Sequence, residues 1–461
     1  MNIYSQIKKA VNNIAYKDCR KNGIANKKTE AEKQSIIDNT IIAFDKSTFN
    51  LANYQLATLR QGTKKRLVVK YNDPFCPENI LCQCVKQILD KNFKVKYPNR
   101  NAIARDLFAC IGTLYKMSHF TIVKFDFKDY FNSVSSTYVF NQYLKDRLHN
   151  REDFDLIEKY VKATKFSYAG LAASNTISEI IAQYFDELVE QEFSQYGIIF
   201  FERYVDDCIL LLNQDHSVTE IKDKLDLIVK NIYHKDQLNQ YDKCKTKLSP
   251  NKFKCFSKKD IFASTSTCCI DFLGYEFYFT KSSNKIALKY GITEDKRNKY
   301  SKRVRKFIEA YQSASSRDYQ NSELLRQRIT AFISRTVYND YYYSSIVWKA
   351  KGFIVNYGEL RFLLDTNLIE PHTKIFLDNI IVNSFNQASI PIPYYIKGGG
   401  YSLTESMKKN QSIVLVEKIG YSYSALKTTC QNASIPVTNN EKNKSYNDLV
   451  KSYLIAMKVG Y

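Results

Sequence analysis

The stretch IIFFERYVDDCILLL, residues 198–212, sets two apolar runs on either side of Val205-Asp206-Asp207. The runs 198–204 and 208–212 are rich in Ile, Leu and Phe, and a short acidic turn between two such runs reads as a β-hairpin. Carboxylates at the ends of apolar strands are costly unless something compensates them. A second acidic residue has the same setting. TIVKFDF, residues 121–127, reads as a buried strand with Asp126 near its end. By itself each feature is ordinary, because an Asp-Asp pair is usually a solvated turn and a lone Asp after a strand is often a helix cap. Together, in a basic protein, they suggest a shared counter-ion. Mg2+ takes one or two carboxylates plus phosphate oxygens and water.

Working outward, residues 1–58 read as helices and 59–75, LRQGTKKRLVVKYNDPF, as two short strands about a basic turn. Helices are expected at 78–92, about 137–165, 176–195 and about 217–233. Basic residues crowd 243–259, and 270–288 reads as a further strand pair. Past 290 the pattern is helical, through KRVRKFIEAY and LLRQRITAFISRTVYNDYYYSSI. Pro391, Pro393 and Gly398-Gly399-Gly400 mark a loop or junction over 386–402, and 403–461 has no firm assignment. The expected fold class is α+β.

The chain has 461 residues, with 68 Lys plus Arg against 47 Asp plus Glu, a formal charge of +21. That balance is unusual for a metabolic enzyme and points to a polyanionic partner. Eleven cysteines without a C-x-x-C pair, and five scattered histidines, exclude a zinc knuckle and a disulfide framework. Residues 1–20 lack the apolar centre of a secretory signal, and no run approaches 18 apolar residues, so the expected location is cytoplasmic, with no membrane partner.

In this order the motifs resemble those of reverse transcriptases. FDFKDYFNSV, residues 125–134, is similar to the first palm motif, and Tyr204-Val205-Asp206-Asp207 to the Y-x-D-D signature. Gly170-Leu171 with the helix after it stands in the second motif's place. Leu238-Asn239 with Lys245-Thr246 resembles the fourth, and Phe272-Leu273-Gly274-Tyr275 the primer grip. Residues 64–89 resemble the fingers strand pair and the helix after it. The resemblance implies a right-hand polymerase with fingers (1–115), palm (116–285), thumb (286–385) and a small C-terminal extension (386–461). It implies RNA-directed DNA synthesis by nucleotidyl transfer from deoxynucleoside triphosphates. Asp126, Asp206 and Asp207 would be catalytic and would bind Mg2+ (or Mn2+), with Phe127 contributing its backbone. Lys64, Lys65 and Arg66 would hold the triphosphate, by point charge or planar fork. Phe131 would lie under the incoming sugar and exclude a 2′-hydroxyl, and Lys245 or Lys247 would protonate the pyrophosphate.

The second motif departs from the family. Gly170-Leu171-Ala172-Ala173-Ser174-Asn175 stands where Gly-Leu-Pro-Gln-Gly is usual, so Ala173 replaces a glutamine of the nucleotide site and Asn175 is left to stand in for it. Asn101-Ala102-Ile103-Ala104-Arg105 ends in Arg where Asn-Ala-x-x-His is usual. The Val-Thr-Gly of retron enzymes and an RNase H quartet are missing. These departures resemble the bacterial antiphage reverse transcriptases, the abortive-infection and defence-associated group. That group implies a non-coding RNA partner, a DNA product and a homo-oligomer. It also leaves untemplated or protein-primed synthesis, or a silent RNA-binding scaffold, as alternatives. The basic segment 296–306, KRNKYSKRVRK, reads equally as a solvated helix face and as a thumb that tracks phosphates.

Overall fold

A computed structural model describes residues 2–23, 26–61, 64–235, 243–314, 318–342, 345–397, 401–436 and 445–459. The chain opens with helices Ile3–Asn22 and Glu30–Asp45. Thr29 starts the second through a capping box, in which its side chain accepts from the Glu32 amide and Glu32 accepts in return from the Thr29 amide. β1 (Gln55–Gln61) and β2 (Lys64–Lys70) then form an antiparallel ribbon. β1 begins inside the stretch read as helical from sequence, 1–58, because Gln55–Gln61 finds its partner only in β2.

Helices Pro77–Asn92 and Arg100–Leu114 lead to a four-stranded antiparallel sheet. Its strands are β3 (Thr121–Asp126), β4 (Ile198–Tyr204), β5 (Asp207–Leu212) and β6 (Lys254–Ser257), in the order β4-β5-β3-β6. The helix Ala172–Phe193 carries Ile177, Ile181, Phe185 and Val189 into one core with Val123, Phe125, Leu210 and Leu212 of the sheet. Burying each such side chain stabilises the fold by about 1.5–3 kcal/mol. The expected single helix over 137–165 is interrupted. A short helix and an irregular turn end at Leu148, whose backbone is extended, and Asn150 caps a new helix, Arg151–Thr164, through the Asp153 amide at 2.9 Å. β7 (Cys268–Phe272), β8 (Tyr275–Ser282) and β9 (Lys285–Ile292) follow as a three-stranded sheet.

The chain divides into two units. The first comprises Met1–Ile14, Thr29–Leu273 and Phe279–Ala287, and the second Ala15–Lys28, Gly274–Tyr278 and Leu288–Tyr461. In the second, helices Glu294–Gln312, Tyr319–Ile333 and Pro371–Gln387 are joined by β10 (Arg335–Tyr342) and β11 (Ser345–Lys351), an antiparallel pair. This corrects the helical reading past 290. Thr336, Tyr338 and Asp340 are buried while Val337 and Asn339 are half-buried, the alternation of a strand, and β-branched and aromatic residues favour it. β12 (Ser412–Leu415) adds in parallel to β10. Helices Tyr423–Asn432 and Tyr446–Ala456 pack Leu426, Cys430, Leu449 and Tyr453 into a core with Tyr338, Ile413 and Leu415. None of the eleven cysteines is in a disulfide.

Candidate active site

β3 is buried along its whole length at the centre of the sheet. Antiparallel register sets Asp126 opposite Asp207 and Lys124 opposite Ile209. Period two therefore places Lys124, Asp126 and Asp207 on one face, and Val123, Phe125 and Cys208 on the other, against the helical core. β4 and β5 are joined by Val205-Asp206 alone, since Tyr204 pairs with Asp207. Val205 has φ +64°, where hairpin turns usually need glycine and a β-branched residue is an outlier. Such a conformation costs about 1–3 kcal/mol and persists only when the surroundings hold it.

Arg203 supplies that hold. It lies almost fully buried on β4, donates to the Val205 carbonyl at 3.0 Å, and is clasped by Glu179 at 2.6 Å and Asp186 at 2.8 Å. Burial disfavours the Arg203 charge, but the two carboxylates outweigh it and raise its pKa. Burial also pushes Asp186 up to about 6, against the pull of Arg203. On the opposite side of the turn, the Phe127 amide donates to the Asp206 carbonyl at 3.2 Å, which ties the hairpin tip to the end of β3. The Phe127 ring is buried against Tyr130, Phe185 and Tyr233.

The acidic pair has cationic neighbours that sequence reading missed. Lys124 Nζ lies 3.0 Å from Asp207, and Lys252 Nζ lies 2.5 Å from Asp126. Asp271 of β7 faces Lys124 at 3.9 Å and Lys254 at 3.2 Å. Burial pushes Asp207 up to about 6, Lys124 opposes this, and the negative charges of Asp126 and Asp271 add to it. For Lys124, burial acts downward, yet Asp207 and Asp271 raise its pKa overall. Asp271 is held below the usual carboxylate range by Lys124 and Lys254, against its own burial. A lysine in the middle of the apolar run TIVKFD, an aspartate in CCIDF and an arginine in IIFFERY were the signals available. A charge on a buried strand needs a partner, but sequence does not say which.

The remaining expected residues are placed as follows. Phe131 is half-buried, its ring 5.8 Å from Tyr130. Lys64, Lys65 and Arg66 start β2, opposite Gln61, Arg60 and Leu59, but their side chains fall outside the described residues, as do Leu238 and Asn239. Ala173 is fully buried in the first turn of its helix and offers no surface to a nucleotide, while Asn175 is half-buried. Gly170 has φ +113°, and a Cβ there would meet the Val69 carbonyl oxygen at 2.2 Å, so only glycine lets the chain pass β2 where the Val69 amide bonds to Ala169 at 2.8 Å. The Lys245 side chain is exposed, with its ammonium 5.2 Å from the Phe166 ring centroid. Its backbone amide donates to the Ser133 carbonyl at 2.7 Å. Phe272 is buried in β7, and the Leu273 carbonyl accepts from Arg100. Gly274 and Tyr275 belong to the second unit, where the buried Tyr275 donates to the Asn356 carbonyl at 3.1 Å.

The donors at the hairpin are all carboxylate oxygens, the chemistry that suits a hard divalent cation such as Mg2+. Among the described residues no group of three or more His, Cys, Asp or Glu side chains is arranged as a ready ligand set. Lys124 and Lys252 instead supply counter-charge to the pair.

No protein-family model matches the chain, and no curated protein matches it. Among solved structures it is similar to the telomerase of Candida albicans, in complex with the TWJ fragment of telomeric RNA, at 13% identity and a TM-score of 0.35 over 87% of this chain and 65% of that one. The apo telomerase of Candida tropicalis is similar at 11% identity and a TM-score of 0.35, over 92% of this chain and 73% of that one. This chain thus spans 65% of the length of the first. Overlap of this degree decides nothing about chemistry. Among the described residues no helix is long and apolar enough to cross a membrane.

Proposed function

We propose that the chain is a reverse-transcriptase-type DNA polymerase of bacterial antiphage defence. It transfers nucleotidyl groups from deoxynucleoside triphosphates to a hydroxyl, releases pyrophosphate, and works with an associated non-coding RNA as a cytoplasmic homo-oligomer. One observation carries the reading: the antiparallel register that sets Asp126 opposite Asp207, with Asp206 at the adjoining tip. Two acidic positions about 80 residues apart in sequence are neighbours because two apolar strands pair.

Asp126, Asp206 and Asp207 would hold Mg2+ (or Mn2+), which when bound supplies the positive charge that activates a 3′-hydroxyl and steadies the leaving pyrophosphate. The protein's own part is positioning. Arg203 fixes the hairpin tip through the Val205 carbonyl, and the Phe127 amide fixes Asp206 to β3. Phe131 would bar a 2′-hydroxyl, Lys64, Lys65 and Arg66 would hold the triphosphate, Lys245 would act on the pyrophosphate, and residues 272–275 would seat the primer.

The test is incorporation of labelled deoxynucleotides by the purified protein with Mg2+ and its co-purified RNA. The expected result is synthesis that Asp206→Asn abolishes and Phe131→Ala opens to ribonucleotides. A second reading, an RNA-binding scaffold with a silent palm, draws on the lysines already paired with Asp126 and Asp207. No incorporation in the presence of that RNA would decide for the scaffold.

A further inference from the structure

Leu273, like Val205, holds a side chain in a backbone conformation that suits glycine. β7 and β8 are joined by Leu273-Gly274 alone, with φ +53° and +82°. Positive φ at both central residues marks a type I′ hairpin turn, whose usual first residue is asparagine, aspartate or glycine. A bulky leucine there is an outlier. Leu273 is buried, which accounts for a leucine where glycine would turn without strain. Such strain persists only where the surroundings hold it.

Arg100 holds this one. Its guanidinium donates to the Leu273 carbonyl, as that of Arg203 donates to the Val205 carbonyl. A charged donor makes the stronger kind of hydrogen bond, and the planar fork of arginine is pre-organised for it. Arg100 is itself fixed. It is the first residue of the helix Arg100–Leu114, which Asn99 caps by accepting from the Asn101 and Ala102 amides at 3.1 and 3.3 Å. That helix buries Ile103, Leu107 and Ile111 and packs against β4, the strand that leads to Val205 and Asp206. Two residues before Leu273, Asp271 ties β7 to β3 through Lys124 and to β6 through Lys254. Each link from Leu273 to the acidic hairpin, through the guanidinium, the helix and β4, lies within the first unit. Two strained turns are thus held by the same device, and a rigid helix joins one to the other.

We infer that Arg100 is a positioning residue, which fixes the Leu273 turn relative to the Asp206 hairpin and so keeps the seat of the primer strand in order. The inference deepens the proposed function and rests on it for the primer. The test is steady-state extension by the full chain of a labelled DNA primer annealed to an RNA template, with primer–template varied at saturating deoxynucleotide and Mg2+. A seat binds the primer alike in the ground and transition states, so its loss appears in KM: Arg100→Met should raise the primer–template KM about tenfold and leave kcat and the deoxynucleotide KM within about twofold. Arg100→Lys, which keeps a charged donor, should recover most of that rise. In the Leu273→Gly chain, where glycine takes the positive φ freely, adding Arg100→Met should raise KM by less than about twofold. An unchanged primer–template KM would overturn the inference, and so would an equal rise with and without Leu273→Gly. A lower kcat and melting temperature at unchanged KM would give Arg100 a part in folding alone and overturn it as well. If the unaltered chain extends no primer, the polymerase reading fails, and the hold on the turn is read from urea unfolding. There Arg100→Met and Leu273→Gly should be non-additive, and additivity would overturn the hold itself.

Discussion

The acidic hairpin of the first unit and the basic cluster of the second handle charge in opposite ways. At the hairpin, Asp126 has Lys252, Asp207 has Lys124, Asp271 has Lys124 and Lys254, and Arg203 has Glu179 and Asp186. Around Phe307, the guanidinium groups of Arg303 and Arg328 share one ring, and among the described residues neither has a carboxylate partner. Internally matched charges hold a geometry before any ligand arrives. Around Phe307 the guanidinium groups are instead held by ring contacts and by the Ala456 carbonyl, so one region is braced by charge pairs and the other by packing.

The strongest way to break the contrast is at the hairpin tip. Asp206→Asn or Asp126→Asn should reduce incorporation by more than about 10³-fold, roughly 4 kcal/mol in transition-state terms. Asp206→Asn should leave the far-ultraviolet circular dichroism and the melting temperature close to those of the unaltered chain. Residual synthesis near the original rate would remove the aspartates from the chemistry.

Next in size is the internal clasp. Arg203→Met strands Glu179 as a buried, unpaired carboxylate and frees the Val205 turn, so urea unfolding should register a loss of about 3–5 kcal/mol. A loss under about 1 kcal/mol would mean that the clasp does not hold the turn.

Asp207 sharpens the comparison through pH. Its folded pKa, about 6, lies above the ordinary carboxylate value, so the folded chain keeps a proton that the unfolded chain has already released between about pH 4 and 6. Stability from this group is therefore present at the acid end and lost as pH rises through about 6. Relative to Asp207→Asn, the unaltered chain should lose up to about 3 kcal/mol between pH 4 and 7 in paired urea titrations. A pH-independent gap would mean that burial does not control this carboxylate.

The smallest effect belongs to Lys252. Its side chain is 51% exposed, so its pairing with Asp126 is screened by solvent. Lys252→Met should change stability by no more than about 1 kcal/mol. A much larger loss would place Lys252 with the structural charges of the clasp.

Much of the first unit was legible. The hairpin 198–212, the strand 121–127 and the ribbon about residues 59–75 are each announced by apolar runs and turn residues that act over a few positions. The misreadings have a common cause. β10 and β11 come from tyrosine-rich sequence that suits a helix face and a strand equally, and pairing with a partner settled the matter. The break at Leu148 and Asn150 depended on a cap whose strength shows only once the next helix has something to pack against. Ala173 marked a departure from a motif, but nothing in the sequence said that its methyl is sealed in the core.

Local composition by itself determined the apolar strands, the acidic turn between them and the excess of positive charge, because each is a property of residues adjacent along the chain. Tertiary structure alone decided that Asp126 faces Asp207, that Arg203 braces the strained Val205, and that Arg303 and Arg328, drawn from two separate helices, meet over one ring. Strand register and helix packing are cooperative outcomes of burying many side chains at once, and no single stretch encodes them.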